Sequence, residues 1–271
     1  MNANDSYWTP NDKVRLEGYA SIIGCEKCPR TMRTRMVQQY VVDRLAVGRE
    51  TPSTLRGHEY ANRVRAAEVM REGGRLDEVC ARTGETQACA VLRKWDGRSD
   101  ATSVGTHIFE EFVKRAPTGT NLWSVPFNAR DPLNTPRGLK TGTAVVKAMQ
   151  AAIDAVRDAG VAFDAPWGSL QVAGDRGAPP LPITGGDGDL AGNANAVDTE
   201  HPQANSDRYK AISYGSSHIQ AISYLADGTV DARTILTYSQ YEDPASPWSW
   251  DQTKLFSQEK WVRFPWTPAQ I

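Results

Sequence analysis

Near residue 160 the chain changes character, and that change limits the folds open to it. Up to there apolar residues recur at helical spacing; after it come turn residues and then alternating β-rich runs. Thr31 to Val47 places Met32, Met36, Val37, Tyr40, Val41 and Leu45 at helical intervals, predicting a core-facing helix. Thr51-Pro-Ser-Thr-Leu opens another segment, and Glu59 to Glu72 reads as a charged helix stopped by Gly73 and Gly74. Cys80 to Trp95, with Val91, Leu92 and Trp95, predicts a helix. So does His107 to Ala116, with Ile108, Phe109, Phe112 and Val113 on one face. Thr141 to Ala159, rich in Ala, Val and Met and ended by Gly160, is the strongest helical signal in the chain.

From Trp167 to Tyr209 Gly, Pro, Asn and Asp are too dense for regular helix, so ordered loops with short strands are expected. Tyr209 to Tyr224 and Thr229 to Tyr238 are β-rich and meet at Asp227-Gly228, a hairpin signal. DPASPWSWDQTKLF then gives a turn and one short helix. At the other end, residues 2 to 9 read as a strand end with a turn: Asn4, Asp5 and Ser6 are poor strand formers, Tyr7 and Trp8 can pack, and Pro10 stops the run. Helices first and strands last, with one strand at the very start, argue for an α+β fold and against βαβ winding. The helical part is expected over about 11–160 and the loop and strand part over about 161–271, with no repeat at a fixed period.

Thirty-one Lys and Arg residues are scattered among 32 acids, which argues against a nucleic-acid or anionic-membrane partner. No apolar run is long enough to span a bilayer, and MNANDSYWTPNDK lacks the basic start and apolar stretch of a signal peptide. The four cysteines form two near pairs, Cys25 with Cys28 and Cys80 with Cys89. The second spacing does not suit a zinc knuckle. Those two residues fit a disulfide in an oxidising compartment or buried thiols in a reducing one, and the disulfide is favoured.

Few residues carry chemistry by pattern alone. The GxSxG of a serine hydrolase is missing. Ser217 and His218 are adjacent, but neighbours along a strand point to opposite faces and cannot meet as nucleophile and base. Gly185 to Gly192 fails both phosphate-loop spacings, and its acids Asp187 and Asp189 lack the closing Glu of a calcium loop, so it reads as a glycine-permitted turn near a cleft. Asn4 could donate its amide to an oxyanion, which needs no charge on the protein. Arg33 and Arg35, at the head of the first predicted helix, could orient that asparagine or a substrate carbonyl; either could equally be a surface arginine.

Seven stretches, in order, carry a resemblance: NANDSYW, ACAVLRKWDGRSDATSVGTHIFEEF, VPFNARDPLNTPRGL, APWGSLQ, YGSSHIQ, YSQYEDPASPWSWDQTKLFSQEKW and PWTPAQI. Together they resemble the penicillin amidase family of N-terminal-nucleophile hydrolases, in its acyl-homoserine lactone and aculeacin acylase branch. The resemblance implies an αββα sandwich and a secreted or periplasmic precursor cut into two subunits. A serine at the new amino terminus of the larger subunit attacks an amide carbonyl, with its own α-amine as base. An asparagine and a backbone N–H hold the oxyanion. That asparagine falls on Asn4, with Asn2 one register away, and the family's arginine falls in RTMRTR, on Arg33 or alternatively Arg35. The nucleophile, its supporting residue, the second oxyanion donor, the calcium site and most of the acyl pocket precede the asparagine stretch, so no cofactor or metal is expected here. Residue 1 is Met. The chain is therefore expected to be the carboxy-terminal portion of a large subunit, by gene truncation, split coding or an incomplete sequence. Its expected partners are the missing acylase segments and a small acyl amide such as an acyl-homoserine lactone, lipopeptide or penicillin. The rival expectation is a non-catalytic binding or interaction protein that kept the scaffold.

Overall fold

The computed structural model describes residues 1–173, 180–198, 212 and 214–271. Helix α1 spans Met32–Val47, and Thr31 caps it by accepting the Thr34 N–H at 3.1 Å. It buries a narrower face than the periodicity predicts: Met36 and Tyr40 are buried together with the polar Thr34, Arg35 and Gln38, while Val41 and Leu45 are exposed. The last turns of α1 run past the core and, with Leu55 and the Tyr40 ring, line a shallow apolar groove.

Helix α2 covers Pro52–Glu59 behind a Thr51–Thr54 capping box. The single charged helix expected from Glu59 to Glu72 is not formed. Asn62 takes a left-handed φ of 45°, and its side-chain amide donates to Asp100 Oδ1 at 2.7 Å, so the chain turns there and α3 spans only Arg65–Met70. Gly73 and Gly74, both at positive φ, then admit α4 (Arg75–Ala81). The expected helix from Cys80 to Trp95 is likewise two pieces: α4 ends, Gly84 turns the chain at φ 82°, and α5 runs over Thr86–Lys94. The Cys80–Cys89 disulfide ties α4 to α5, and Cys25 is joined to Cys28.

Helix α6 (Thr106–Arg115) lies at the centre of the helical half, with Ile108, Phe109 and Phe112 fully buried. The expected one-sided apolar face understates its burial, because His107, Glu110 and Glu111 are buried too. Strands β1 (Trp123–Val125) and β2 (Arg137–Leu139) pair antiparallel, with β2 against α3, and α7 (Thr143–Asp158) packs on α6 through Val145, Met149, Ala152 and Ile153. The C-terminal stop of α7 is as predicted: Gly160 at φ 73° donates its N–H to the Arg157 carbonyl.

Short elements follow: α8 (Trp167–Leu170), then β3 (Val172–Ala173) antiparallel to β4 (Leu181–Pro182). Parts of the predicted loop and of the run beginning at Tyr209 lie outside the described residues. The hairpin forms as predicted, with β5 (His218–Tyr224) in register against β6 (Val230–Leu236) and Asp227 Oδ1 accepting the Thr229 N–H at 2.9 Å in the turn. After α9 (Asp251–Ser257), β7 (Val262–Arg263) adds to the β6 edge. Phe256, Ile235, Ile183 and Val197 form a second, smaller core under this sheet. The architecture is α+β. Among the described residues, 2–9 form turns and no strand: the Ser6 N–H donates to Asp5 Oδ1 at 2.7 Å and not to a ladder.

Candidate functional site

The amino-terminal turns are fastened to the head of α1 by Asp5. Its carboxylate accepts from Arg30 Nη1 at 3.0 Å, the Thr31 N–H at 3.1 Å and Thr34 Oγ1 at 2.9 Å. A carboxylate there meets the unpaired N–H groups and positive dipole end of a helix. Arg30, itself buried, also donates to the Cys28 carbonyl and lies over the buried Trp8 ring at 5.2 Å. Sequence reasoning missed Asp5. Its only signal was an acid near the chain start, with the capping pair Thr31 and Thr34 further on.

With Asp5 held, Asn4 is presented in the left-handed region at φ 58°, which asparagine tolerates, and its N–H donates to Asn2 Oδ1 at 2.8 Å. Asn2 therefore supports the turn, and Asn4 is the residue that meets an arginine. Arg33 Nη1 donates to Asn4 Oδ1 at 2.6 Å, while Arg33 Nε donates to the Ala194 carbonyl at 3.4 Å. Arg35 goes elsewhere. It is fully buried, with Nε on the Leu133 carbonyl at 2.8 Å and Nη1 on the Pro136 carbonyl at 3.0 Å, and burial lowers its pKa to about 10. The structure thus brings Arg33 and Asn4 together and leaves Arg35 as a brace between α1 and the segment before β2.

A guanidinium only donates, so it selects the oxygen of the Asn4 amide and turns the Nδ2 end away. Asn4 is exposed, and no described residue accepts from Nδ2. Two N–H bonds therefore project outward from a side chain fixed at its other end. The loop from Gly185 to Gly192 backs this pair: the Asp189 carbonyl accepts the Met32 N–H at 3.0 Å, and Gly188 lies against Arg33, where a Cβ would sit 3.1 Å from Cδ. Burial and the neighbouring Asp187 raise the Asp189 pKa, with Arg33 opposing. An apolar cavity of about 560 Å³ is lined by Met32, Met70, Val113, Trp123 and Phe127 together with Arg30 and Thr31; Asn4 does not line it.

Ser217 and His218 do not form a dyad. His218 Nε2 bonds Thr234 Oγ1 across the hairpin at 3.0 Å, and the Ser217 carbonyl accepts the Thr237 N–H. Among the described residues no group of three or more His, Cys, Asp or Glu is placed to hold a metal ion, and no helix is long and apolar enough to cross a membrane.

The Penicillin amidase family model matches residues 1–271. The chain belongs to the penicillin amidase family. It is 31% identical over 287 residues to the acyl-homoserine lactone acylase PvdQ of Pseudomonas savastanoi pv. phaseolicola, covering 100% of this chain and 35% of that protein. Against PvdQ of Pseudomonas syringae pv. tomato the identity is 32%, covering 100% of this chain and 36% of the relative. Against the aculeacin-A acylase of Actinoplanes utahensis it is also 32%, covering 100% and 35%. The chain thus spans about a third of the length of the acylases it matches.

Proposed function

We propose that this penicillin amidase family chain supplies the oxyanion donor of an acylase, with Asn4 as donor and Arg33 as its orienting partner. The attacking serine comes from a segment outside these 271 residues, as does its α-amine base. Attack on an acyl amide produces a tetrahedral oxyanion; Asn4 Nδ2 donates to it, and collapse expels the amine and leaves an acyl-serine that water hydrolyses to the carboxylate. The parent is an αββα enzyme, exported and matured by cleavage, that acts on acyl-homoserine lactones, lipopeptides or penicillins. Its function needs no cofactor from this chain, since Asn4 works as a neutral dipole. The observation that supports this most is the 2.6 Å bond from Arg33 to Asn4 Oδ1, which fixes the amide with its donors outward.

The test is coexpression of the chain with the preceding acylase segments, the small subunit and the first part of the large one, followed by assay of fatty-acid release from an acyl-homoserine lactone. We expect hydrolysis from the pair and none from the chain alone. Asn4→Ala should lower kcat by roughly 10²–10³ with KM little changed, the loss for one oxyanion donor. Hydrolysis by the chain alone would place the nucleophile inside it and overturn the proposal. An Asn4→Ala complex as fast as the parent would remove Asn4 from the mechanism, and no hydrolysis from any pairing would favour a non-catalytic binding protein on the acylase scaffold.

A further inference from the structure

Glu110 is fully buried in the middle of α6, yet among the described residues its carboxyl makes no salt bridge. Oε1 accepts the Asp187 N–H at 3.2 Å, and it lies so close under the loop that a Cβ on Gly186 would sit 2.5 Å from it. That same Cβ would be 2.9 Å from Asn193 Nδ2 and 3.2 Å from Ser99 Oγ, so three buried polar side chains converge on one glycine. Glu110 Oε2, Asn193 Oδ1, Asn195 Oδ1 and Ser99 Oγ are all buried without a hydrogen-bond partner among the described residues. Such groups are expensive to leave unpaired. Acceptors are in excess here, and one proton on Oε2 would supply a donor to them.

The loop seated on Glu110 is the one that holds the Arg33–Asn4 pair. The Asp187 carbonyl accepts the Gly192 and Asn193 N–H groups at 3.2 and 3.1 Å, closing the loop on itself. Asp189 then receives the Met32 N–H, Gly188 abuts Arg33, and the Ala194 carbonyl accepts Arg33 Nε. Between Glu110 and Asn4 there is an unbroken run of contacts: carboxyl, loop, guanidinium, amide.

We propose that Glu110 is a positioning residue: it seats the 186–195 loop against Arg33 and so sets the direction of the Asn4 amide. Burial raises its pKa to about 8, with Asp187 and Glu111 reinforcing the shift and Lys114 opposing it. Ionisation puts a charge beneath the loop with acceptors around it, and the loop then shifts away from Arg33. The importance of this for catalysis rests on the function proposed above, but the geometry does not, and the test below reads geometry only.

Selectively ¹⁵N-labelled chain gives separate NMR signals for the Arg33 Nε–H and the Asn4 Nδ2 amide. Titrated from about pH 6 to about pH 9.5, both should move with one shared midpoint near pH 8. In Glu110→Gln, which mimics the neutral acid, both should keep their low-pH positions throughout. Glu59, whose pKa burial raises to about 7 against the opposing charge of Arg33, is the control: Glu59→Gln should leave the shared midpoint in place. Signals flat across the range, or a Glu110→Gln chain that titrates like the parent, would overturn the proposal. If Glu110→Gln does not fold, by far-ultraviolet circular dichroism, the decision passes to the parent and Glu59→Gln titrations: a shared midpoint that survives Glu59→Gln supports the proposal, and one that vanishes with it refutes it. Failed acylase reconstitution would bear on the proposed reaction and leave this result untouched.

Discussion

His107 and Glu110 are one helical turn apart on α6, both buried, and burial moves them in opposite directions. His107 has its Nε2 3.2 Å from the Ala162 carbonyl and its Nδ1 without a hydrogen-bond partner among the described residues, and burial lowers its pKa to about 4. Above the ordinary histidine range both folded and unfolded chains carry it neutral. As pH falls from about 6.5 towards 4, only the unfolded chain takes up the proton, so stability falls by about 3 kcal/mol over that window. Glu110 acts the other way: with its folded pKa raised to about 8, the stability it lends is greatest below the ordinary carboxylate range and is lost as pH rises towards 8. Urea unfolding at pH 4.5 and 6.5 checks the first statement. His107→Gln should narrow the gap between the two midpoints, and an unchanged gap would show that His107 does not set acid lability.

At the scale of elements, the Cys80–Cys89 disulfide joins two short helices, α4 and α5, that cannot be stable alone. Cross-linking residues nine positions apart restricts the unfolded chain by roughly 2–3 kcal/mol. The double Cys80→Ala, Cys89→Ala chain should therefore lose that much unfolding free energy in urea titrations, and a value within error of the parent would mean that packing alone holds α4 on α5. The elements that sequence reasoning recovered are those with a strong local cause. Thr31 caps α1, Gly160 ends α7, and Asp227-Gly228 closes the hairpin. It failed where a distant partner overrode local preference. The break at Asn62 depends on side-chain bonds to Asp100 and Thr184, and β7 exists only because β6 offers it an edge.

At the scale of the whole molecule, two of the hydrophobic clusters among the described residues differ in extent. Helices α3 to α7 share an extended cluster that includes Leu76, Leu92, Phe109, Phe112, Met149 and Ile153, whereas β5 exposes alternate residues and rests on the smaller cluster around Ile235 and Phe256. Local opening follows the density of buried apolar contacts. Amides of α6 and α7 should accordingly exchange with solvent at least tenfold more slowly than those of β5 in native-state hydrogen exchange. Equal protection would show that the two cores open as one.

Read alone, the sequence determined the local order: helical periods up to about residue 160, turn-forming residues after it, a hairpin near the end, and no nucleophile motif of its own. It also pointed to Asn4 and to a short arginine cluster, through resemblance. Which arginine reaches Asn4, and which way its amide faces, was decided by tertiary structure. Arg33 meets Asn4 29 positions away and the Ala194 carbonyl 161 positions away, while Arg35, two residues along the same helix, points into the core. Helix geometry separates these side chains by about 200° around the axis, but only the packing of the 186–195 loop against α1 determines which face is inside.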